Sequence, residues 1–155
     1  MTSRTTFAGL DPGHSSGAMV IVDSLGSVVA MTKLRGTKAV PVTDHDLFEM
    51  LSEHDPSFAV LEKVHAMPRQ GVSSSFKFGD SFGTCRTLLA CSRVPYELVT
   101  PQRWQKSMGC RTGGDKRISR DAAQRLHPRI RVTHWNADAL LLAEYARRLH
   151  NSRKI

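Results

Sequence analysis

The sequence predicts an α/β domain with a mixed central β-sheet flanked by α-helices, and three observations carry that expectation. Short apolar, β-branched runs joined by tight turns open the chain, the pattern of an antiparallel meander. Segments with apolar residues at helical spacing then alternate with two further short apolar runs, as covering helices and strands do in a mixed sheet. The 155 residues suffice for one hydrophobic core, and no internal repeat or low-complexity tract marks a second unit, so residues 1–155 read as one domain.

The elements follow in order. Residues 5–10 (TTFAGL) and 17–23 (GAMVIVD) read as strands separated by the turn DPGHSS, and 27–34 (SVVAMTKL) as a third strand after a tight SLG turn. The segment 43–54 reads as a helix, with Thr43 as N-cap and Leu47, Met50 and Leu51 on one face. A short strand at 57–62 (SFAVLE) ends on Glu62, and a long helix follows from about Ser73 to Cys91. After a strand at 96–99 (YELV), the stretch TPQRWQKSM opens a short helix with Pro101 at its first position, where a missing N–H costs nothing. A basic helix spans 115–127, and the last helix contains ADALLLAEYARR, its start placed near Thr133.

Composition excludes several classes. No stretch approaches the roughly 18–20 unbroken apolar residues of a membrane span. The N-terminal residues lack the apolar core of a secretory signal. Cys85, Cys91 and Cys110 have no zinc-site spacing and read as reduced thiols in a cytoplasm-like compartment, with no structural zinc expected. Charge is the informative quantity. The net +8 divides into −3 over residues 1–60 and +11 over residues 61–155. Cations confined to one part of a chain are the footprint of a phosphate-backbone binder, although a solubilising surface would look alike.

Against this basic background, two acids stand out. Asp11 and Glu62 each follow an apolar run and close a strand, at the sheet edge where ligands of α/β proteins collect. Asp11 also reads as a turn former in DPG. Glutamate is a poor turn residue, and an unpaired carboxylate ending a buried strand costs free energy. In HWNAD, His134 and Asp138 stand four apart, so a helix starting near Thr133 aims both side chains at one place. Asp138 would be stabilised by the helix dipole in any case. Together, three carboxylates and an imidazole suit hard divalent cations, and two ions about 3.5–4 Å apart can clamp a phosphodiester and activate a water.

These residues lie within a wider resemblance. FAGLDPG…SGAMVIVD, AVLEKVHAMPRQGVSSSFKFGDSFGTCRTLL, YELVTPQRWQKSMG, DKRISRDAAQRL and HWNADALLLAEYARR occur in order over nearly the whole chain. The set resembles the RuvC-type Holliday junction resolvases of the RNase H-like nuclease superfamily. The resemblance implies an RNase H-like fold, a homodimer, and cleavage of four-way DNA junctions by paired symmetric nicks with two Mg²⁺ ions per site. Mn²⁺ is the expected substitute; no small-molecule cofactor and no membrane contact are expected. Asp11, Glu62, His134 and Asp138 take the places of the metal ligands. The last pair is four apart where bacterial members usually space it by three, as in the phage and chloroplast branches, and Trp135 at the three-residue spacing is no ligand.

The same resemblance sets Lys106 and Lys116 at positions that face the scissile phosphate, where a lysine stabilises developing charge. Each also reads as a solvated helix residue. The loop KVHAMPRQG, 63–71, occupies the place of a junction-wedging loop, with His65 as the stacking candidate and Arg69 as a phosphate contact; Lys77 and Arg117 join the DNA-facing set. Phe78, Phe82, Cys85 and Leu89 form an apolar stripe, with Gly79 and Gly83 beside it allowing close helix approach. The stripe alone reads as core packing against the sheet; the resemblance makes Phe78, Gly79, Phe82 and Gly83 candidates for a twofold dimer interface as well. Two other readings stay open: an RNase H-like nuclease of structured RNA, as in ribosomal RNA processing, and a non-catalytic branched-DNA-binding module. The phosphate loop of actin-like ATPases, suggested by GLDPGHSSG, needs two such domains and is set aside.

Overall fold

A computed structural model describes residues 5–153. Three strands form the opening meander: β1 (Thr6–Asp11), β2 (Ala18–Asp23) and β3 (Val28–Lys33). Helix α1 (Asp44–His54) leads to β4 (Phe58–Glu62), and α2 (Val72–Cys91) leads to β5 (Tyr96–Val99). Helices α3 (Pro101–Ser107), α4 (Lys116–Leu126) and α5 (Ala137–Ser152) complete the described chain. The sheet order is β3-β2-β1-β4-β5, antiparallel within the meander and parallel from β1 through β4 to β5. The mixed α/β sheet of the sequence reading is thus present, with strand and helix ends within a residue or two of those expected for every element but the last helix.

Both faces of the central strands are covered, which is why β1 and β2 are buried at every position. Alternate residues feed two cores. Phe7, Val20, Val22 and Val60 pack with Leu140, Leu141 and Trp104, while Leu10, Met19, Ile21 and Leu61 pack with Leu47, Leu51, Cys85 and Leu89. Local chemistry fixes the ends. Thr43 caps α1 in a reciprocal capping box with Asp46, as its sequence position suggested. Asp23 accepts the amides of Leu25 and Ser27, and Gly26 supplies the left-handed φ of +85° that the β2–β3 turn requires.

Helix α5 approaches the sheet tightly at Gly9. A Cβ there would stand 2.6 Å from the Ala139 carbonyl oxygen and would also strike the Ala143 amide nitrogen. Helix α5 therefore rests on the β1 backbone itself, and this contact brings its first turn to the tip of β1. Helix α5 begins at Ala137 rather than near Thr133. The reason is Asn136, fully buried: its side-chain oxygen accepts the Thr133 amide while its NH₂ donates to the Arg131 carbonyl, holding residues 133–136 as a separate turn. No helix among the described residues is long and apolar enough to cross a membrane.

Candidate active site

Parallel pairing of β1 with β4 matches Leu10 to Leu61, so the next residues, Asp11 and Glu62, close neighbouring strands side by side. Helix α5 brings Asp138 to the same edge from its first turn. Electrostatics join the three. Asp11 is pushed up to about 7, first by burial and then by the charge of Asp138, and the Gly13 amide that donates to its Oδ1 at 3.0 Å only partly offsets this. Glu62 is pushed up to about 8 by burial and by Asp11. Burial also raises Asp138. The cation that acts on all three is Lys116, at the start of α4.

Two side chains that sequence reasoning did not single out hold this arrangement. The indole of Trp104, fully buried, donates from Nε1 to Oε2 of Glu62 at 2.7 Å. Thr100 and Pro101, as N-cap and first residue of α3, set that indole under the sheet edge. The signal was available, because a buried tryptophan N–H needs an acceptor. The hydroxyl of Ser119, one turn into α4, is shared between the Lys116 carbonyl and Asp138. It has one proton, and the ionised carboxylate is the stronger acceptor. Trp104→Phe should leave Glu62 without its donor and more tightly protonated, so half-saturation by Mg²⁺ at neutral pH is expected to rise roughly tenfold. Metal titration of the variant, with circular dichroism as the check on folding, measures this.

The remaining candidates are dispersed. His134 is exposed in the turn before α5, and the groups that set the charge of the three carboxylates are one another, Lys116, Trp104, Ser119 and the Gly13 amide. Lys106 is exposed in the last turn of α3. His65, Arg69 and Lys77 are exposed along the 63–71 loop and the start of α2, and Arg69 has a left-handed backbone. Arg117 instead folds back on Asp115, the N-cap of α4. On α2, Cys85 and Leu89 belong to the core, Phe78 and Phe82 are half-buried, and Gly79 and Gly83 face open space. A hollow of about 160 Å³ lies between this helix and the loop, lined by His65, Phe78 and Phe82. Phe76, 77% exposed and one helical turn after exposed Val72, is a further aromatic that the stripe argument passed over. It lies two residues from Phe78, so helical geometry turns it off the stripe.

Among the described residues, no three His, Cys, Asp or Glu side chains are already drawn into a ligand shell. The donor chemistry nonetheless fits hard divalent cations: burial raises all three carboxyls, the charge of Asp138 raises Asp11 and Glu62 further, and Lys116 is the cation that acts on them, so added positive charge would relieve the repulsion.

No protein-family model matches the sequence, and no curated protein sequence matches it. Solved structures do match. Thermus thermophilus RuvC superposes with a TM-score of 0.69 at 16% identity, covering 97% of this chain and 96% of that one. RuvC from T. thermophilus in complex with Holliday junction substrate gives 0.70 at 18% identity over the same shares. The fowlpox virus Holliday junction resolvase gives 0.52 at 13% identity, covering 97% of this chain and all of that one. What is shared at such identities is the fold. The chain has the RNase H-like α/β architecture, and within it the form found in RuvC-type resolvases.

Proposed function

We propose that this chain is a structure-selective endonuclease that resolves four-way DNA junctions by paired symmetric nicks. The observation that carries the reading is the meeting of Asp11, Glu62 and Asp138 with Lys116 at one sheet edge, within a fold shared with junction resolvases. The carboxylates would hold two Mg²⁺ ions, or Mn²⁺, with His134 as the fourth ligand after its exposed turn closes on them. Held there, the ions would supply an activated water and positive charge for the scissile phosphate. The chain's own groups do the rest. Trp104 orients Glu62, Ser119 orients Asp138, and the Lys116 ammonium offers the phosphate its positive charge. Lys106, Arg69, Lys77 and Arg117, released from Asp115, would follow the backbone phosphates. His65, with the exposed Phe76, would stack on bases opened at the junction centre. The work would take place in the cytoplasm.

The direct test presents purified protein and Mg²⁺ or Mn²⁺ with junction, duplex, flap and hairpin-RNA substrates side by side. Paired nicks in the junction alone support the reading. Preferential cleavage of the RNA would replace it with the RNA-processing alternative, and tight binding without cleavage with the non-catalytic one.

A homodimer suits this function, since two like strands are best cut by two copies of one site. The open positions at Gly79 and Gly83 let a partner helix approach α2 closely. Gly83→Arg is therefore expected to give monomers in sedimentation velocity and uncoordinated single nicks. Its fold should hold or gain, because glycine inside a helix costs about 1 kcal/mol relative to alanine.

A further inference from the structure

We propose that the outer edge of β3 docks an extended acidic peptide segment of a partner protein, which pairs there as an added strand. β3 ends the sheet, and among the described residues no backbone hydrogen bond reaches its outer side. Edge strands are ordinarily shielded by charge, proline, bulges or a covering element. β3 is interrupted at Val29, which has no partner on β2, and ends on Lys33, which leaves the regular stretch of Ala30, Met31 and Thr32 between them open to pairing.

A trough runs beside this edge. One hollow of about 430 Å³ is lined by Leu25, Val28, Leu126 and Ile130, and a second of about 500 Å³ by Met31, Ile130 and Trp135. Arg129 and Ile130 border both, so the two hollows share a wall and lie side by side. An added strand turns alternate side chains to one face, and the trough offers that face apolar seats. Leu25, 83% exposed, lines the first hollow.

Charge selects the occupant. Lys33, stacked over Trp135, stands at one end, and exposed Arg129 and Arg131 line the rim. The neighbouring acids are already engaged: Glu144, behind Gly26, is held by Arg147 and Arg148, and Asp23 accepts two turn amides. A second copy of this chain would bring the same cations against themselves. Duplex DNA would match the rim, but the apolar floor and the open strand edge would offer its phosphates nothing. An extended segment whose alternate apolar residues seat on the floor, and whose acids flank them at its ends, satisfies rim, floor and edge together.

The probe is a fluorescein-labelled peptide of about ten residues with valines at alternate central positions and glutamates at both ends, long enough to pair along a typical strand. Its binding is followed by anisotropy without divalent ions, so the outcome is independent of cleavage. Saturable binding is expected, with slowed hydrogen exchange at amides of residues 28–33. Reversing Arg129 and Arg131 together, R129E with R131E, should weaken it at least about tenfold. N-methylation of alternate peptide amides, which blocks one pairing edge, should abolish it. No binding, equal binding of the N-methylated or a lysine-for-glutamate peptide, or displacement by four-way junction DNA would each overturn the proposal.

Discussion

Asp11→Asn is expected to abolish cleavage of a four-way junction, by at least about a thousandfold, while junction binding persists or tightens. Asp11 closes the central strand of the site and is the group whose charge most raises Glu62 after burial. An amide keeps its shape but supplies no negative charge to hold a cation. The same change should stabilise the metal-free protein. Asp11 and Glu62 have folded-state values of about 7 and 8, above the ordinary 3.8 and 4.5. A carboxyl raised by folding contributes full stability below its unfolded value and loses it as pH climbs through the folded one. Without metal, the wild-type fold therefore weakens between about pH 4 and pH 8. Asp11→Asn removes the first contribution and lightens the second, so its melting temperature in EDTA at pH 8 should exceed wild type by on the order of 5 °C. Calorimetry across pH and junction cleavage assays measure the two halves. Normal cleavage by the variant would detach Asp11 from the chemistry.

Gly9→Ala carries the second large effect. The added methyl would meet main-chain atoms of α5 at Ala139, Leu142 and Ala143, none of which can swing aside as a side chain could. Helix or strand must shift, at a cost of about 3 kcal/mol or more, the upper end for overpacking. Displacing α5 also moves Asp138 from the strand tips, so residual folded protein should require far more Mg²⁺ for any cleavage. Denaturant unfolding and metal titration report the two consequences separately. A variant with wild-type stability would show that α5 does not rest on the β1 backbone as described.

Much of this architecture was legible in the sequence because its signals are local. The β-branched runs and tight turns of the meander, the Thr43 cap and the acids closing β1 and β4 all announce themselves within a few residues. The supports of the site are long-range. Trp104 meets Glu62 across 42 positions, and Ser119 meets Asp138 only because α4 packs on α5. No spacing rule connects such pairs. The start of the last helix was misjudged for a related reason: the apolar pattern extends through Trp135, but the buried Asn136 side chain takes over the preceding backbone groups and delays the helix to Ala137. The α2 stripe divided because its periodicity reports which residues share a face, whereas the sheet decides how much of that face is covered.

Crystals grown with Mn²⁺ and four-way junction DNA, measured at the manganese absorption edge, interrogate the catalytic assignment most directly. Anomalous density bounded by the carboxylates of Asp11, Glu62 and Asp138 is expected, with a scissile phosphate on its far side. Manganese found elsewhere, or junction strands that pass this edge without approaching it, would contradict the assignment.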